Sequence, residues 1–112
     1  MIDCIFCKIL QGEIPAKLVY EDDQVIAIND IDPKAPTHIL ILPREHIATL
    51  NDVADEEILG HMMYVGSQLA KKCSLAEDGY RLVMNCNQNG GQAVFHIHAH
   101  LLAGRKMTWP PG

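Results

Sequence analysis

Near the C-terminus, three histidines alternate with apolar residues. The segment reads His96-Ile97-His98-Ala99-His100-Leu101-Leu102. On a β-strand such residues share one face, with their successive Cβ atoms roughly 6.6 Å apart. Imidazole is a nucleophile that is largely unprotonated near neutral pH, and it is also the commonest zinc ligand. The row therefore predicts either attack on a phosphorus centre or a metal site. A histidine-rich edge of a sheet that faces solvent is the alternative without chemistry.

A polar loop with two glycines, Gly90 and Gly91, leads into this segment. Glycines allow backbone N–H groups to approach an anion closely, as phosphate-binding loops require. A glycine-rich loop alone is a weak signal. Joined directly to a row of histidines, it favours chemistry on a phosphorus centre.

The N-terminal segment carries a Cys-x-x-Cys pair, Cys4 and Cys7. One such pair is half of a zinc site, and the alternative is two buried thiols on a short helix. The surrounding pattern does not resemble the βαβ unit of a thioredoxin-like redox motif. The other two cysteines, Cys73 and Cys86, are interpreted as core thiols.

Composition narrows the class of protein. The chain has 112 residues, 48% of them hydrophobic, with a formal net charge of −5, so it can bury a core and is not disordered. An acidic balance argues against a nucleic-acid-binding face. No secretory signal and no apolar run of about 18–20 residues is visible, so we expect a cytoplasmic protein without membrane contact. Its cysteines are then reduced or bound to metal.

The elements that position the histidines follow from apolar periodicity. A short helix is predicted over residues 4–11 and one long helix after Asn51 or Asp52, either of which could cap it. The buried face of the long helix is predicted to comprise Ile58, Leu59, Met62, Met63, Gly66, Leu69, Ala70 and Cys73. Strands are predicted over residues 18–20, 25–28, 38–42, 80–85 and 95–102. This order predicts an α+β fold with antiparallel strands and helices packed on the sheet.

The residues now resemble a known family. The stretch GGQAVFHIHAHLL (90–102) contains His-φ-His-φ-His-φ-φ, with φ apolar, and is similar to the signature of the histidine-triad (HIT) superfamily. Three further stretches resemble its Hint branch of histidine triad nucleotide-binding proteins, the purine nucleoside phosphoramidases. They are IFCKI (5–9) with EIPAK (13–17), DIDPKAPTH (30–38) and WPPG (109–112). The resemblance covers nearly the whole chain.

For the fold, the resemblance implies a single HIT domain over residues 1–112. It implies a five-stranded antiparallel sheet with one long and one short helix, and a homodimer in which two sheets join. Residues 103–112 would form a tail that reaches the dimer interface. There Trp109 would shape the leaving-group pocket, seal the interface, or do both.

For the activity, the resemblance implies hydrolysis of purine nucleoside 5′-phosphoramidates such as adenosine 5′-monophosphoramidate or AMP–lysine. His98 matches the nucleophile, which would form a nucleotidyl-histidine that water resolves to the nucleoside monophosphate. His38 matches a histidine that partners the nucleophile. His100 and Asn85 match positions that hold the phosphate, and no metal is needed for the chemistry.

The nucleotide site implied by the resemblance has three parts. Ile5, Phe6, Ile9 and Ile28 match apolar walls of a purine pocket, although ordinary core is the alternative that their residue types favour. Asn29, Asp30 and Ile31 match the ribose end, where Asp30 could instead cap a loop before Pro33. The phosphate end comprises Asn85, Gly91, Gln92, Ala93, His98 and His100, and Trp109 completes the set.

The sequence departs from the family pattern at two of these positions. Ala93 stands where many relatives carry serine, so we expect an altered rate or leaving-group preference. Asn29 replaces a common histidine, so contacts to the base should differ. His61 has no counterpart in the family and is interpreted as a residue on the helix surface.

The resemblance also implies a structural Zn²⁺ site. In several HIT proteins a histidine after the central strand and the first histidine of the triad complete the set. Here these are His46 and His96, which with Cys4 and Cys7 give Cys2His2. Three other functions remain open. They are a dinucleoside polyphosphate hydrolase, a nucleotide-binding regulatory protein with incidental hydrolysis, and a metallohydrolase that uses all three triad histidines as ligands.

Overall fold

A computed structural model describes residues 3–112. The helices are α1 (Ile5–Leu10), α2 (Glu56–Lys72) and a short α3 (Asn87–Gly90), with one 3₁₀ turn at Leu50–Asp52. The strands are β1 (Leu18–Glu21), β2 (Val25–Asn29), β3 (Thr37–Pro43), β4 (Tyr80–Val83) and β5 (Ala99–Ala103). Only one long and one short helix were predicted, and α3 forms within the segment predicted as the polar loop.

The five strands form one sheet in the order β1-β2-β3-β5-β4, and every neighbouring pair is antiparallel. This confirms the predicted α+β class and the five-stranded antiparallel sheet. Strand β3 is central because its residues are apolar on both faces and every one from His38 to Pro43 is buried. Ile39 and Ile41 belong to the core beneath α2, whereas Leu40 and Leu42 belong to a second core beneath α1.

Helix α2 begins later than the sequence suggested. Its N-cap is Asp55, whose carboxylate accepts a hydrogen bond from the N–H of Glu57, rather than Asn51 or Asp52. Asp52 instead closes a capping box with Thr49 on the 3₁₀ turn. Each carboxylate therefore helps to cap a helix start: Asp52 belongs to the capping box of the 3₁₀ turn, and Asp55 caps α2.

The buried face of α2 also differs in part from the prediction. Met62, Gly66, Leu69 and Ala70 are buried as expected, and Val65 joins them. A Cβ on Gly66 would lie 2.8 Å from a methyl carbon of Leu82, so a larger residue here would require the Leu82 side chain to move. Met63 and Cys73 are exposed, and Cys73 is therefore not a core thiol.

Strand β5 is shorter than predicted, because it begins at Ala99 rather than Phe95. In the ladder with β3, Ile41 pairs with Ala99. The same register would place Pro43 opposite Ile97, and proline has no N–H to donate. The chain leaves the ladder there, and the N–H of Ile97 donates to the carbonyl of Ile47. Among the three histidines only His100 therefore lies within the strand.

Within residues 3–112, no helix is both long enough and apolar enough to cross a membrane.

Candidate active site

The proton positions on His98 follow from its neighbours. Its Nδ1 lies 2.8 Å from the backbone carbonyl of His96. A carbonyl oxygen only accepts, so Nδ1 carries the proton and donates, which leaves the lone pair of the neutral ring on Nε2. The ring of Phe6 stands edge-on to the His98 ring at 5.1 Å between centroids. His98 is thus held in one orientation with a nucleophilic nitrogen.

His38 contacts His100 rather than His98, contrary to the expectation that it partners the nucleophile. The backbone N–H of Lys34 donates to Nδ1 of His38 at 3.0 Å, so the proton of the neutral His38 ring resides on Nε2. That Nε2 lies 2.9 Å from Nδ1 of His100 and donates to it. The remaining proton of a neutral His100 is then on its own Nε2.

His100 therefore presents an N–H donor whose hydrogen bond is not yet made. Its Nε2 is buried and has no hydrogen-bond partner among the described residues. Its ring lies 4.9 Å from that of His98. Burial, assisted by the neighbouring His98 and His38, lowers the pKa of His100 to about 4, so the ring is neutral at pH 7.

Asp30 serves as the loop cap that was the alternative interpretation of this residue. Its Oδ1 accepts from the N–H of Asp32 at 2.8 Å, and its Oδ2 lies 3.5 Å from Nε2 of His38. The side chain is one-fifth exposed, so it is also open to an additional hydroxyl. The contact with ribose stays a prediction.

Asp30, His38 and His100 bring possible metal ligands within 4.8 Å of one another, but their hydrogen bonds oppose a metal. A metal on Nε2 of His38 would move the proton of the ring to Nδ1. Two N–H donors, from the ring and from Lys34, would then face each other, whereas a ligating histidine needs a hydrogen-bond acceptor at that position. Since His96 also turns away from His98 and His100, the geometry opposes a metallohydrolase that uses all three triad histidines.

The loop before the histidines is shaped by the side chain of Gln92. Its Oε1 accepts from the N–H of Asn87, and its Nε2 donates to the carbonyls of Ala48 and Val94. Gly91 has φ +77°, a left-handed conformation that ends α3. The Gln92 side chain is therefore committed within the protein, and so are the backbone N–H groups of Gly91 and Gln92, which donate to the carbonyls of Gln88 and Asn87.

We expect Gln92→Glu to weaken the loop and slow turnover. A carboxylate cannot donate to the two carbonyls that the amide now satisfies, which should cost about 1–3 kcal/mol of unfolding free energy. Urea denaturation and steady-state kinetics measure both effects. Gln88→Glu adds the same charge on an exposed position of α3 and should change neither. Equal behaviour of the two variants would contradict this role for Gln92.

The predicted walls of the purine pocket divide into buried and open residues. Phe6 and Ile28 are buried in the core beneath α1, and Ile9 packs against that core, as the alternative interpretation held. Ile5 is almost half exposed, and Ile31 is 98% exposed beside Asp30. An exposed isoleucine gains stability only when something covers it, so Ile5 and Ile31 are the free apolar surfaces here.

The other predicted residues lie on different elements of the chain. Asn85 follows β4 and is partly buried, and Gly90 packs against its backbone. Asn29 ends β2 and is exposed, as is Ala93 in the loop. Trp109 is 81% exposed and lies 5.8 Å from the guanidinium of Arg81 on β4, so the tail runs beside that edge strand.

The Cys2His2 set predicted for zinc converges in the structure. The four ligand atoms of Cys4, Cys7, His46 and His96 lie within 4.8 Å of one another. The Sγ–Nδ1 distances are 3.5 Å for Cys4–His96, 3.3 Å for Cys7–His46 and 3.6 Å for Cys7–His96. Tetrahedral zinc with ordinary Zn–S and Zn–N bonds places sulfur and nitrogen roughly 3.6 Å apart, so the side chains fit this ion.

The surroundings of His96 also suit a metal ligand. Its Nε2–H donates to the carbonyl of Pro43 at 2.8 Å, which leaves the lone pair of a neutral ring on Nδ1, towards the thiols. Its own backbone carbonyl accepts from His98. The cysteine cluster and the candidate nucleophile are therefore connected through a single residue.

Two contacts of the site were not foreseen. The N–H of Lys34 and the carbonyl of Pro43 orient histidines, but a backbone group carries no signature in a sequence. Outside the site, His61 was interpreted as a residue on the helix surface, and its Nε2 lies 2.7 Å from Oδ2 of Asp22. That pair joins α2 to the β1–β2 turn.

Acid should destabilise the protein through His38 and His100, both of which have a lowered pKa because burial disfavours the charged ring. Unfolded histidines titrate near 6.5, so between about pH 6.5 and pH 4 the unfolded chain binds more protons. The free energy of unfolding should fall across this range and be fully restored above it. His98, His38 and Asp30 are the charged or titratable groups acting on His100.

Urea denaturation at several pH values measures this dependence. His100→Asn removes the more strongly shifted group and should flatten the pH dependence between pH 6.5 and 4. His61→Gln, in the pair remote from this site, should leave the contribution of His100 in place. An identical slope in wild type and His100→Asn would contradict the assignment.

A histidine-rich site at the end of a five-stranded antiparallel sheet defines a HIT domain protein. The HIT domain family model matches residues 11–107, and the chain belongs to this family. It is 53% identical over 107 residues to the purine nucleoside phosphoramidase of Escherichia coli (strain K12), covering 94% of this chain and 90% of that protein.

Two further relatives agree with this family. The 14 kDa zinc-binding protein of Zea mays is 51% identical over 112 residues, covering 96% of this chain and 87% of that protein. Among solved structures, the HIT family hydrolase of Legionella pneumophila Philadelphia 1 is similar with a TM-score of 0.94 and 57% identity. The match covers 98% of this chain and all of that one.

Proposed function

We propose that this protein hydrolyses purine nucleoside 5′-phosphoramidates through a nucleotidyl-histidine on His98. The observation that carries the proposal is the orientation of that ring, whose Nδ1–H is held by the His96 carbonyl so that Nε2 keeps its lone pair. The similarity to the E. coli purine nucleoside phosphoramidase over 94% of the chain supports the substrate class.

The reaction divides into two displacements. In the first, the lone pair on Nε2 of His98 forms a bond to the α-phosphorus, the P–N bond of the substrate breaks, and the leaving nitrogen departs as an amine after gaining one proton. In the second, water attacks phosphorus, the bond to Nε2 breaks, and the nucleoside monophosphate leaves with one proton released. The imidazole is restored.

His100 acts in this scheme as a hydrogen-bond donor. Its Nε2–H has no partner among the described residues and is available to an oxygen of the phosphoryl group as negative charge develops. Since the ring is neutral, loss of that proton would leave an imidazolate, so we assign the leaving amine a different proton source. Asn85 and the backbone at Ala93 are proposed to hold the remaining oxygens, because the N–H groups of Gly91 and Gln92 already donate within the loop.

The nucleoside end is proposed to occupy the surface beside α1 and the β2–β3 loop. The exposed side chains of Ile5 and Ile31 would cover the base, and Phe6, Ile9 and Ile28 would support them from the core. Asp30 would accept from the ribose hydroxyls, with Asn29 adjacent to the base. Ala93 lacks the hydroxyl of the serine found in relatives, so the phosphate would receive one fewer donor.

The Cys4–Cys7–His46–His96 cluster is proposed to hold a structural Zn²⁺ ion. Support comes from the near-ideal sulfur–nitrogen distances and from the zinc-binding relative in Zea mays. Bound there, the ion would join the N-terminal helix to His96. We assign it no step of the reaction, because the lone pair of His98 is produced by hydrogen bonding alone.

A homodimer is proposed in which residues 103–112 reach the interface between two chains. Strand β4 lies at an edge of the sheet with its residues only partly buried, and unpaired edge strands are templates for pairing. The tail lies along this edge, where Arg81 donates to the carbonyl of Thr108. Trp109 would then contact the second chain.

A cytoplasmic location also stays a prediction.

Comparison of substrates tests the proposed function. Adenosine 5′-phosphoramidate and an AMP–lysine conjugate should be turned over far faster than diadenosine polyphosphates at equal concentration. The reverse order would favour the dinucleoside polyphosphate hydrolase. Activity that persists after chelation would agree with a histidine nucleophile, whereas complete loss with an intact fold would favour a metal-driven reaction.

A further inference from the structure

Arg105 lies beyond the end of β5, at the start of the C-terminal tail and outside the catalytic, nucleotide and metal residues named above, and yet it holds the loop that orients His38. Its Nε and Nη2 both donate to the carbonyl of Lys34, at 3.1 and 3.0 Å. A guanidinium that offers two N–H groups to one carbonyl fixes the direction of that carbonyl more strongly than a single donor.

The chain is built to bring Arg105 to this loop. Gly104 has φ +94°, and a Cβ there would lie only 2.8 Å from Cβ of Pro36. Any other residue would be strained in this conformation and would push the two segments apart. Glycine therefore lets the segment after β5 pack against the β2–β3 loop at Pro36, two residues from Lys34.

Lys34 is held from three directions. Arg105 binds its carbonyl, its ammonium group contacts the carbonyl and carboxylate of Asp32, and its N–H donates to Nδ1 of His38. The last contact determines the tautomer of His38. With a donor at Nδ1, and with Asp30 and His100 as acceptors at Nε2, the proton has one favourable position.

The consequence reaches His100. Because Nε2–H of His38 donates to Nδ1 of His100, the proton of neutral His100 must lie on its unpartnered Nε2. If the Lys34 N–H moved away, the opposite tautomers of both rings would become accessible. In that state His100 would present a lone pair, which repels a phosphoryl oxygen.

We propose that Arg105 is a positioning residue that, by holding Lys34, selects the tautomers of His38 and His100 and so keeps an N–H donor directed at the phosphoryl group. The part that concerns the phosphoryl group rests on the proposed function. The tautomer selection does not, and it can be measured without any substrate.

The test compares full-length wild type with Arg105→Ala, Arg105→Lys and Arg44→Ala. Arg44 is a matched control, because its Nε also donates to a loop carbonyl, that of Asp22, at 2.8 Å, and its Nη2 contacts Glu21. It contacts no triad histidine. Proton–nitrogen two-bond correlation spectra of ¹⁵N-histidine-labelled protein at neutral pH report which ring nitrogen carries the proton.

Wild type and Arg44→Ala should show His100 protonated on Nε2 only. Arg105→Ala should show mixed tautomers or exchange broadening for His38 and His100, with kcat reduced by about tenfold and KM changed much less. Arg105→Lys, with a single donor to the carbonyl, should lie between them. Melting temperatures of the two alanine variants control for a general loss of stability.

An unaltered His100 tautomer in Arg105→Ala and Arg105→Lys would overturn the proposal. A changed tautomer with kcat equal to wild type would overturn its catalytic part. If wild type hydrolyses no phosphoramidate, the proposed function fails, but the spectra still decide whether Arg105 selects the tautomers.

Discussion

Replacing His98 by asparagine is expected to reduce kcat/KM for adenosine 5′-phosphoramidate by at least about 10³-fold, because the reaction loses its nucleophile. Asparagine is the sharper choice than alanine, since its amide nitrogen occupies nearly the position of Nδ1 and can still donate to the His96 carbonyl. The local structure is then preserved while Nε2 is removed. Steady-state kinetics with the purified protein measure the loss.

The intermediate gives a direct second measurement. Acid quenching during turnover of a nucleotide-labelled substrate should leave label attached to the wild-type chain and none attached to His98→Asn. His61→Ala, a histidine of α2 remote from this site, should behave as wild type. Rapid product formation without any trapped label would contradict covalent catalysis on His98.

The same variant separates an enzyme from a regulatory nucleotide-binding protein. Calorimetry should show that His98→Asn still binds a nucleoside monophosphate, because the proposed base and ribose contacts do not involve this ring. If cellular effects of the protein survive in His98→Asn, its biological role is binding, and hydrolysis is incidental. If they disappear together with turnover, the role is catalytic.

The second large effect is expected at the cysteine cluster. Protein purified without chelator should carry about one zinc ion per chain, and Cys4→Ser combined with Cys7→Ser should remove it. Loss of a ligand that binds only the folded state should lower the melting temperature by roughly 5 °C or more. Elemental analysis and thermal denaturation provide the two measurements.

Serine is a well-matched substitution because Cys4 is the N-cap of α1, with its Sγ accepting from the N–H of Cys7. A serine hydroxyl can make the same cap, so any loss of stability reflects the metal rather than the helix end. Cys73→Ser with Cys86→Ser is the control and should keep the zinc. The site would be contradicted if wild-type protein purified without chelator contained no metal and if chelation did not change its melting temperature.

Turnover in the cysteine variant should decrease without disappearing. His96 would lose a partner on Nδ1, but its Nε2–H still donates to the Pro43 carbonyl and its carbonyl still accepts from His98. The expected result is a moderate decrease in kcat from a less rigid nucleophile. Total inactivation of a folded, metal-free protein would instead indicate that the metal takes part in the reaction.

Much of the fold was accessible from local patterns. Alternation and continuous apolar runs predicted all five strands, since the direction of each side chain follows from the period of the backbone. The error at the start of α2 has a local cause as well. Asp52 and Asp55 are of the same residue type and so equally suited to capping. The structure uses both, Asp52 on the 3₁₀ turn and Asp55 on α2.

The largest error concerned the histidine segment. The alternation of His96, His98 and His100 predicts one strand with three rings on one face, but the strand begins only at Ala99, because the partner of the preceding residues would include Pro43, which offers no N–H. Whether a strand extends depends on its neighbours, and β3, which carries Pro43, lies more than fifty residues from β5 in the sequence. Periodicity within one segment contains no information about that partner.

The amino-acid sequence by itself indicated which chemistry to look for, because the types and spacing of the histidines, cysteines and glycines predict attack on a phosphorus centre or metal binding. Only the tertiary structure decided which role each histidine takes. His96 turns to the cysteines, His98 keeps a lone pair on Nε2, and His100 presents an N–H. The reason is that imidazole is both donor and acceptor, so its role depends on the partners that folding brings to its two nitrogens, here backbone groups of His96, Pro43 and Lys34.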